Sequence, residues 1–240
     1  MMLEDNSICP VVCINRAFIN FNFYKMKTIT TILFTIFSIS IAQSQTIKAS
    51  GYTYGTKEVA KSSFTLEDLK LLEQTLLFTD EDVKYLKMSH DILKDQTNDI
   101  LDVWYGFVGG TPQLLYFFGN KTTGKPEGEY LAKVRKRFEM WILQTAEANY
   151  DQNWLNYQYE IGLRHYKSKK NKTDNATAIP IVNYRYIPAL TIPVTTTLKP
   201  FLAKKGATVS DVDKMYNAWI KSVLLQSILW GQPYMKKGEF

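Results

Sequence analysis

Cysteine is scarce in this chain of 240 residues, and its scarcity excludes several kinds of chemistry. The two cysteines, Cys9 and Cys13, both lie near the N-terminus, and no further ligands follow in the spacing of a zinc site. No cysteine follows Cys13. Thiol catalysis, iron–sulfur clusters and covalent haem attachment through a C-x-x-C-H motif are therefore excluded for the main part of the chain.

Histidine is equally scarce, since the chain contains only His90 and His165. His90 stands in a polar segment, whereas His165 continues an apolar helical stripe through Trp154, Tyr157 and Ile161. A neutral imidazole on an apolar helix face is either a core histidine bonded to the backbone or a metal ligand. From the residues alone, both interpretations of His165 remain open.

The alternation of polar and apolar residues that marks a half-buried strand is absent over any useful length. Capping sequences open helical segments instead, as at Thr65, Thr79 and Asp151. The sequence therefore predicts an all-α fold. The predicted helices cover residues 65–76, 79–93, 95–108, 111–118, 130–145, 151–165 and the segment from 210 onward.

The segment 184–202 carries conflicting signals. A regular helix is disfavoured by its three prolines, Pro188, Pro193 and Pro200. The absence of charge between Arg185 and Lys199 favours a buried one. We therefore expect a buried, kinked helix here.

Aromatic residues are abundant, with 15 Tyr, 13 Phe and 5 Trp, and this composition suits a protein that lines a large apolar ligand. The formal net charge is +6, but the basic residues are scattered among acidic ones. The densest basic cluster, Lys167–Lys172, predicts a solvated loop rather than a nucleic-acid surface. No nucleic-acid partner is expected.

The first 44 residues form an N-terminal extension to a domain that covers residues 45–240. Residues 26–44 have the lysine-bearing start, short apolar run and small-residue end of a secretory signal. The sequence thus predicts a start at Met26, cleavage near Ser44 and an exported, periplasmic protein. The alternatives are a soluble apolar helix in a cytoplasmic protein, or an uncleaved anchor as the one contact with a membrane.

Seven stretches of the chain together carry a family resemblance, and they are Gly51–Gly55, Leu66–Leu72, Trp104–Gly109, Tyr130–Phe138, Tyr157–His165, Lys199–Ala203 and Lys214–Trp219. They resemble the protoglobins, which are single-domain globins related to the sensor domains of globin-coupled sensors. The resemblance covers essentially residues 50–240. It implies a globin fold with an extra N-terminal helix and a haem sandwiched between distal and proximal helices.

This resemblance implies roles for seven residues. His165 matches the proximal ligand, which would hold the iron of haem b through a ring nitrogen. Tyr105 matches the distal tyrosine, whose hydroxyl reaches a diatomic gas at the iron. The remaining matches are the distal aromatics Trp104 and Phe138, the apolar Leu190 and Val194, and Arg137, which is either a partner of a haem propionate or a plain solvated arginine.

Three further features bear on this site. Gly162, one turn before His165, is expected to give a flat ring close access to the helix. Pro188 departs from the family pattern, which has an aliphatic residue there, and is expected to open or bend the pocket wall. The Tyr105 hydroxyl needs a partner if it is buried, and the alternative to a gas is a backbone carbonyl.

The function implied by the resemblance is reversible binding of O2, and also of CO and NO. The alternative is a haem enzyme of the peroxidase or NO/nitrite-converting type. This alternative lacks a second histidine or arginine clearly placed for acid–base help on the distal side. A third interpretation is a helical protein that has lost haem.

A homodimer through the last two long helices is also expected. The terminal helix carries Met215, Trp219 and Trp230, which is more apolar surface than one side of a core needs. The resemblance implies the same assembly.

Overall fold

Helices provide the regular secondary structure of this chain. The computed structural model describes residues 49–236 and 238–240, and within them β pairing is limited to two isolated bridges. The predicted all-α class is confirmed. In the described residues the α-helices are α1 (Leu66–Thr75), α2 (Asp80–Leu93), α3 (Thr97–Gly109), α4 (Pro112–Leu115), α5 (Gly128–Glu147), α6 (Gln152–His165), α7 (Tyr186–Ala189), α8 (Thr191–Leu202) and α9 (Val209–Leu229), with 3-10 turns at Tyr116–Phe118 and Gln232–Tyr234.

The predicted capping sequences start three of these helices. The hydroxyl of Thr65 accepts a hydrogen bond from the backbone N–H of Asp68 at 3.1 Å, and the Asp68 carboxylate accepts one from the Thr65 N–H at 2.9 Å. An equivalent box at Thr79 opens α2. Asp151 caps α6 by accepting from the N–H of Trp154 at 2.7 Å. These side chains satisfy backbone donors that the first turn leaves free.

The core forms where α9 packs against α2 and α8, and α5 also packs against α2. Met215 and Trp219 are fully buried in this core. The indole N–H of Trp219 donates to Ser89 on α2 at 2.9 Å. The expectation that Met215 and Trp219 form surplus outer surface is therefore wrong, because α2 and α8 already cover them. The homodimer stays a prediction that rests on the resemblance alone.

The predicted kink in segment 184–202 is present. The chain forms the single turn α7 and the longer α8, with Leu190 at the joint in a conformation of φ −73° and ψ −8°. Pro193 has no N–H to donate to the carbonyl of Ala189, four residues earlier, so the helical bonding is interrupted at this point. Pro188 lies within α7, just before the bend.

The residues ahead of α1 form an irregular segment, Ala49–Phe64, that is tied to α5 and α6. Arg137 donates to the carbonyl of Ser50 at 2.8 Å, and Arg164 donates to Thr53 at 2.8 Å. This segment is not helical, so it does not confirm the extra N-terminal helix, which stays a prediction. The predicted signal segment 26–44 lies outside the described residues. Among the described helices, none has the length and apolar character needed to cross a membrane.

Candidate functional site

The chain encloses a cavity of about 240 Å³, with walls contributed by α3, α5, α6, α8 and the loop after α6. Most of the lining side chains are aromatic or aliphatic. The structure brings all seven predicted site residues to the lining of this one cavity. They are Trp104, Tyr105, Arg137, Phe138, His165, Leu190 and Val194.

His165 is the last residue of α6, and its ring is held in one orientation. Nδ1 lies 2.9 Å from the carbonyl oxygen of Ile161, and because a carbonyl can only accept, Nδ1 carries the proton. The lone pair is then on Nε2. Burial lowers the pKa of His165 to about 4, so the ring is neutral at pH 7. His90 does not line the cavity.

Trp230 packs against one face of the His165 ring. The indole and the imidazole are stacked, with ring centroids 5.2 Å apart and planes 13° from parallel. The indole N–H donates to Gln158 on α6 at 2.8 Å. Trp230 was expected on an outer apolar face, and its contact with His165 was not predicted. It also lines the cavity.

Gly162 allows the close packing of Trp230 against α6 and does not provide space for a ligand. A Cβ atom at position 162 would lie 2.8 Å from the carbonyl oxygen and 3.1 Å from the Cα of Trp230. The expectation that Gly162 admits a flat ring is therefore wrong, because the backbone at Trp230 fills that space. Glycine is required here so that the end of α9 can approach α6 closely.

Tyr105 on α3 presents an uncommitted hydroxyl to the cavity. Burial raises its pKa well above the ordinary value, so the phenol keeps its proton. None of the described residues forms a hydrogen bond with the Tyr105 hydroxyl, so the alternative of a bond to a backbone carbonyl is not observed. Beside it, Trp104 and Phe138 make an edge-to-face contact at 5.7 Å and 89°. These rings narrow the cavity around the phenol.

Arg137 lines the cavity as one half of a buried ion pair. Its guanidinium donates to both carboxylate oxygens of Asp174, and the two side chains are 13% and 1% exposed. The alternative of a plain solvated arginine is therefore wrong. The bidentate pairing also means that the charge of Arg137 is already balanced within the protein.

Lys170 is a wall residue that sequence reasoning missed. It belongs to the cluster Lys167–Lys172, which was expected to be solvated, yet Lys170 is 4% exposed. Its ammonium donates to the carbonyl of Phe117 at 2.8 Å and lies 5.2 Å from the centroid of the Tyr130 ring. Burial lowers its pKa to about 8. For Lys170, the expectation of a solvated side chain is wrong.

The sequence model of the family described as Protoglobin matches residues 65–240, which is most of the chain. The chain belongs to the protoglobin family. The resemblance stated from the sequence is thereby confirmed.

A protoglobin is expected to have a globin fold, and a solved structure agrees. The globin domain of the globin-coupled sensor of Geobacter sulfurreducens is similar in fold, with a TM-score of 0.53 at 15% sequence identity. The match covers 70% of this chain and 97% of that domain. No match was found among the curated proteins compared.

Membership of the protoglobin family implies a haem cofactor and binding of diatomic gases. The residues of the cavity fit such a group. Its wall is mainly apolar, it carries one neutral imidazole with a lone pair, and it holds a phenol free to donate. An aromatic-lined site with a single basic ligand is what haem in a globin requires.

Proposed function

We propose that this protoglobin holds haem b through Nε2 of His165 and binds O2 reversibly, with CO and NO as further ligands. The observation that carries the proposal is the oriented, neutral imidazole on an apolar cavity wall. When bound, haem supplies an iron with an open position for a diatomic gas. His165 needs no proton loss to act as a ligand, because its pKa is already about 4.

Two contacts of the His165 ring explain how one orientation is maintained. The hydrogen bond from Nδ1 to Ile161 fixes the tautomer, and stacking on Trp230 restricts rotation of the ring. Such contacts orient ligands and raise their basicity. A histidine held in this way loses little conformational freedom when it binds a metal.

On the gas side, Tyr105 is proposed to donate its hydroxyl proton in a hydrogen bond to O2. The phenol remains protonated at neutral pH because burial raises its pKa. Trp104 and Phe138 limit the space beside it, whereas Leu190 at the kink and Val194 on α8 contribute further apolar lining. These residues keep water from competing for the hydroxyl.

The direct test is a visible spectrum of the haem-loaded protein in the ferrous state, recorded without O2, with O2 and again after O2 is removed. The proposal predicts that the spectrum changes with O2 and returns on its removal. Rapid oxidation to the ferric state, together with peroxide or nitrite turnover well above that of free haem, would instead support the enzymatic alternative. Absence of any Soret band after loading would indicate a chain that does not hold haem.

A further inference from the structure

Among the described residues, three cations line the cavity, and two of them are paired. Arg137 is bound to Asp174, and Arg164 donates from Nε to Glu160 at 3.1 Å. Lys170 is different, because no carboxylate of the described residues lies within 4.0 Å of its ammonium. The wall thus carries one cation without a direct counter-ion in the part of the chain that the structure describes.

Two carboxylates bear on this position: Glu160 binds the neighbouring Lys169, and Glu127 acts on the charge of Lys170, and both are committed to other groups. Glu160 binds Lys169 at 2.7 Å as well as Arg164. Glu127 raises the pKa of Lys170 from a distance, but its carboxylate accepts from the N–H and the hydroxyl of Thr177 at 3.1 and 2.7 Å. Among the described residues, neither of these carboxylates is therefore free to approach the ammonium closely.

A buried ammonium without a counter-ion is costly for a folded protein. The carbonyl of Phe117 satisfies one of its three donors, and the Tyr130 ring offers a cation–π contact at 5.2 Å. These neutral partners do not balance the charge. A lysine kept in this costly position is therefore suited to bind an anionic group of a ligand in the cavity.

The position of Lys170 is also fixed by the chain around it. Its backbone N–H donates to the carbonyl of Tyr166 at 3.0 Å, which closes a turn directly after α6. The preceding Lys169 is anchored to Glu160 on α6. Lys170 therefore lines the same cavity as His165 and is held there by a turn that begins where the His165 helix ends.

We propose that the ammonium of Lys170 forms the ion pair with a carboxylate of the ligand in this cavity, which for haem is a propionate. The inference rests on the proposed function. It assigns the uncompensated charge to Lys170 rather than to Arg137, whose guanidinium is already balanced by Asp174.

The test compares ferric haem with its dimethyl ester, which has the same ring without free carboxylates. The rate of transfer of each porphyrin to an excess of a haem-scavenging globin is measured for the wild-type protein and for Lys170→Met. A charge-assisted hydrogen bond is worth roughly 1.5–3 kcal/mol, so the wild type should release the ester roughly ten- to a hundred-fold faster than haem. Lys170→Met should remove most of this ratio by releasing haem faster, while its release of the ester changes little.

Two other variants make the test specific. Lys167→Met removes a lysine of the same loop that is exposed to solvent, so it should keep the wild-type ratio. Lys170→Arg keeps the charge and should retain a large part of the ratio. If Lys170→Met fails to fold, Lys170→Gln provides a second neutral variant that retains a donor for Phe117.

The outcomes separate this inference from the proposal on which it rests. An equal ratio of ester to haem release in the wild type and in the neutral variants would overturn the role of Lys170 alone. Failure of the wild-type protein to hold either porphyrin through a histidine would overturn the proposed function, and this inference with it.

Discussion

At the scale of single residues, the clearest consequence concerns Tyr105. O2 draws electron density from a ferrous iron and CO draws much less, so a hydroxyl donor stabilises O2 selectively. A hydrogen bond to such a polarised acceptor is worth roughly 1.5–3 kcal/mol. Tyr105→Phe keeps the ring, so O2 release should become roughly ten- to a hundred-fold faster while CO release changes far less.

Laser photolysis or stopped-flow mixing measures both rates on the same samples. If the release of O2 and CO changes by the same factor, or neither changes, Tyr105 has only a structural role. The uncommitted hydroxyl on the cavity wall is the reason to expect the selective result.

Lys170 gives a pH dependence in the haem-free protein. Its pKa falls from 10.5 in the unfolded chain to about 8 in the folded one, because burial disfavours the charge. Between these values the unfolded state binds the extra proton. The free energy of unfolding therefore increases by on the order of 3 kcal/mol as the pH rises from about 8 to 10.5. The same stability is lost as the pH falls through this window.

Urea unfolding of the wild type and of Lys170→Met across this window isolates the effect of Lys170 from that of other titrating groups. The difference in unfolding free energy between the two proteins should change with pH in the direction just given. A constant difference across the window would show that Lys170 does not have a lowered pKa in the folded protein.

At the scale of helices, the approach of α9 to α6 depends on Gly162. An alanine there would place its Cβ 2.8 Å from the carbonyl of Trp230, so the end of α9 must shift. Overpacking of this kind costs about 1–3 kcal/mol. Gly162→Ala should lower the urea midpoint without a large change in m-value, and should also alter the histidine–iron stretching band of the loaded ferrous protein as the Trp230 stack is displaced.

Gly106→Ala on α3 is the matched control. A Cβ there meets no atom within 4 Å, so this helical alanine should stabilise the protein by about 0.5–1 kcal/mol. If Gly162→Ala stabilises the protein to the same extent, the close approach of α9 is not a constraint.

Helices and their starting points were predictable from the sequence because the signals are local. The Thr65 box lies within four consecutive residues, and the kink near Leu190 follows from a nearby proline. Lys170 and Trp230 were not predictable in this way. Their partners, Phe117 and Gln158, are 53 and 72 residues away in the chain. No local pattern specifies such pairings.

The site could be predicted only in part for a related reason. The stripe that ends at His165 identified a buried imidazole, but it left both a core role and a metal role open. The family resemblance named seven wall residues, and the structure brings all of them to one cavity. The partners that balance or orient those residues, such as Asp174, come from loops without a periodic pattern.

At the scale of the whole molecule, export is the prediction with the most direct readout. Residues 26–44 have the pattern of a cleaved secretory signal. Mass spectrometry of the protein from its native cells should find an N-terminus near Gln45, in a fraction outside the cytoplasm. A cytosolic protein that still begins at Met1 would contradict this interpretation.

Binding of the haem iron by His165 can be tested with the visible and resonance Raman spectra of the ferrous, O2-free protein. His165→Gly should lose haem or the histidine–iron stretching band, and added imidazole should restore that band. His90→Ala should leave both spectra unchanged, because His90 does not line the cavity. A five-coordinate histidine spectrum that persists in His165→Gly without added imidazole would contradict the account.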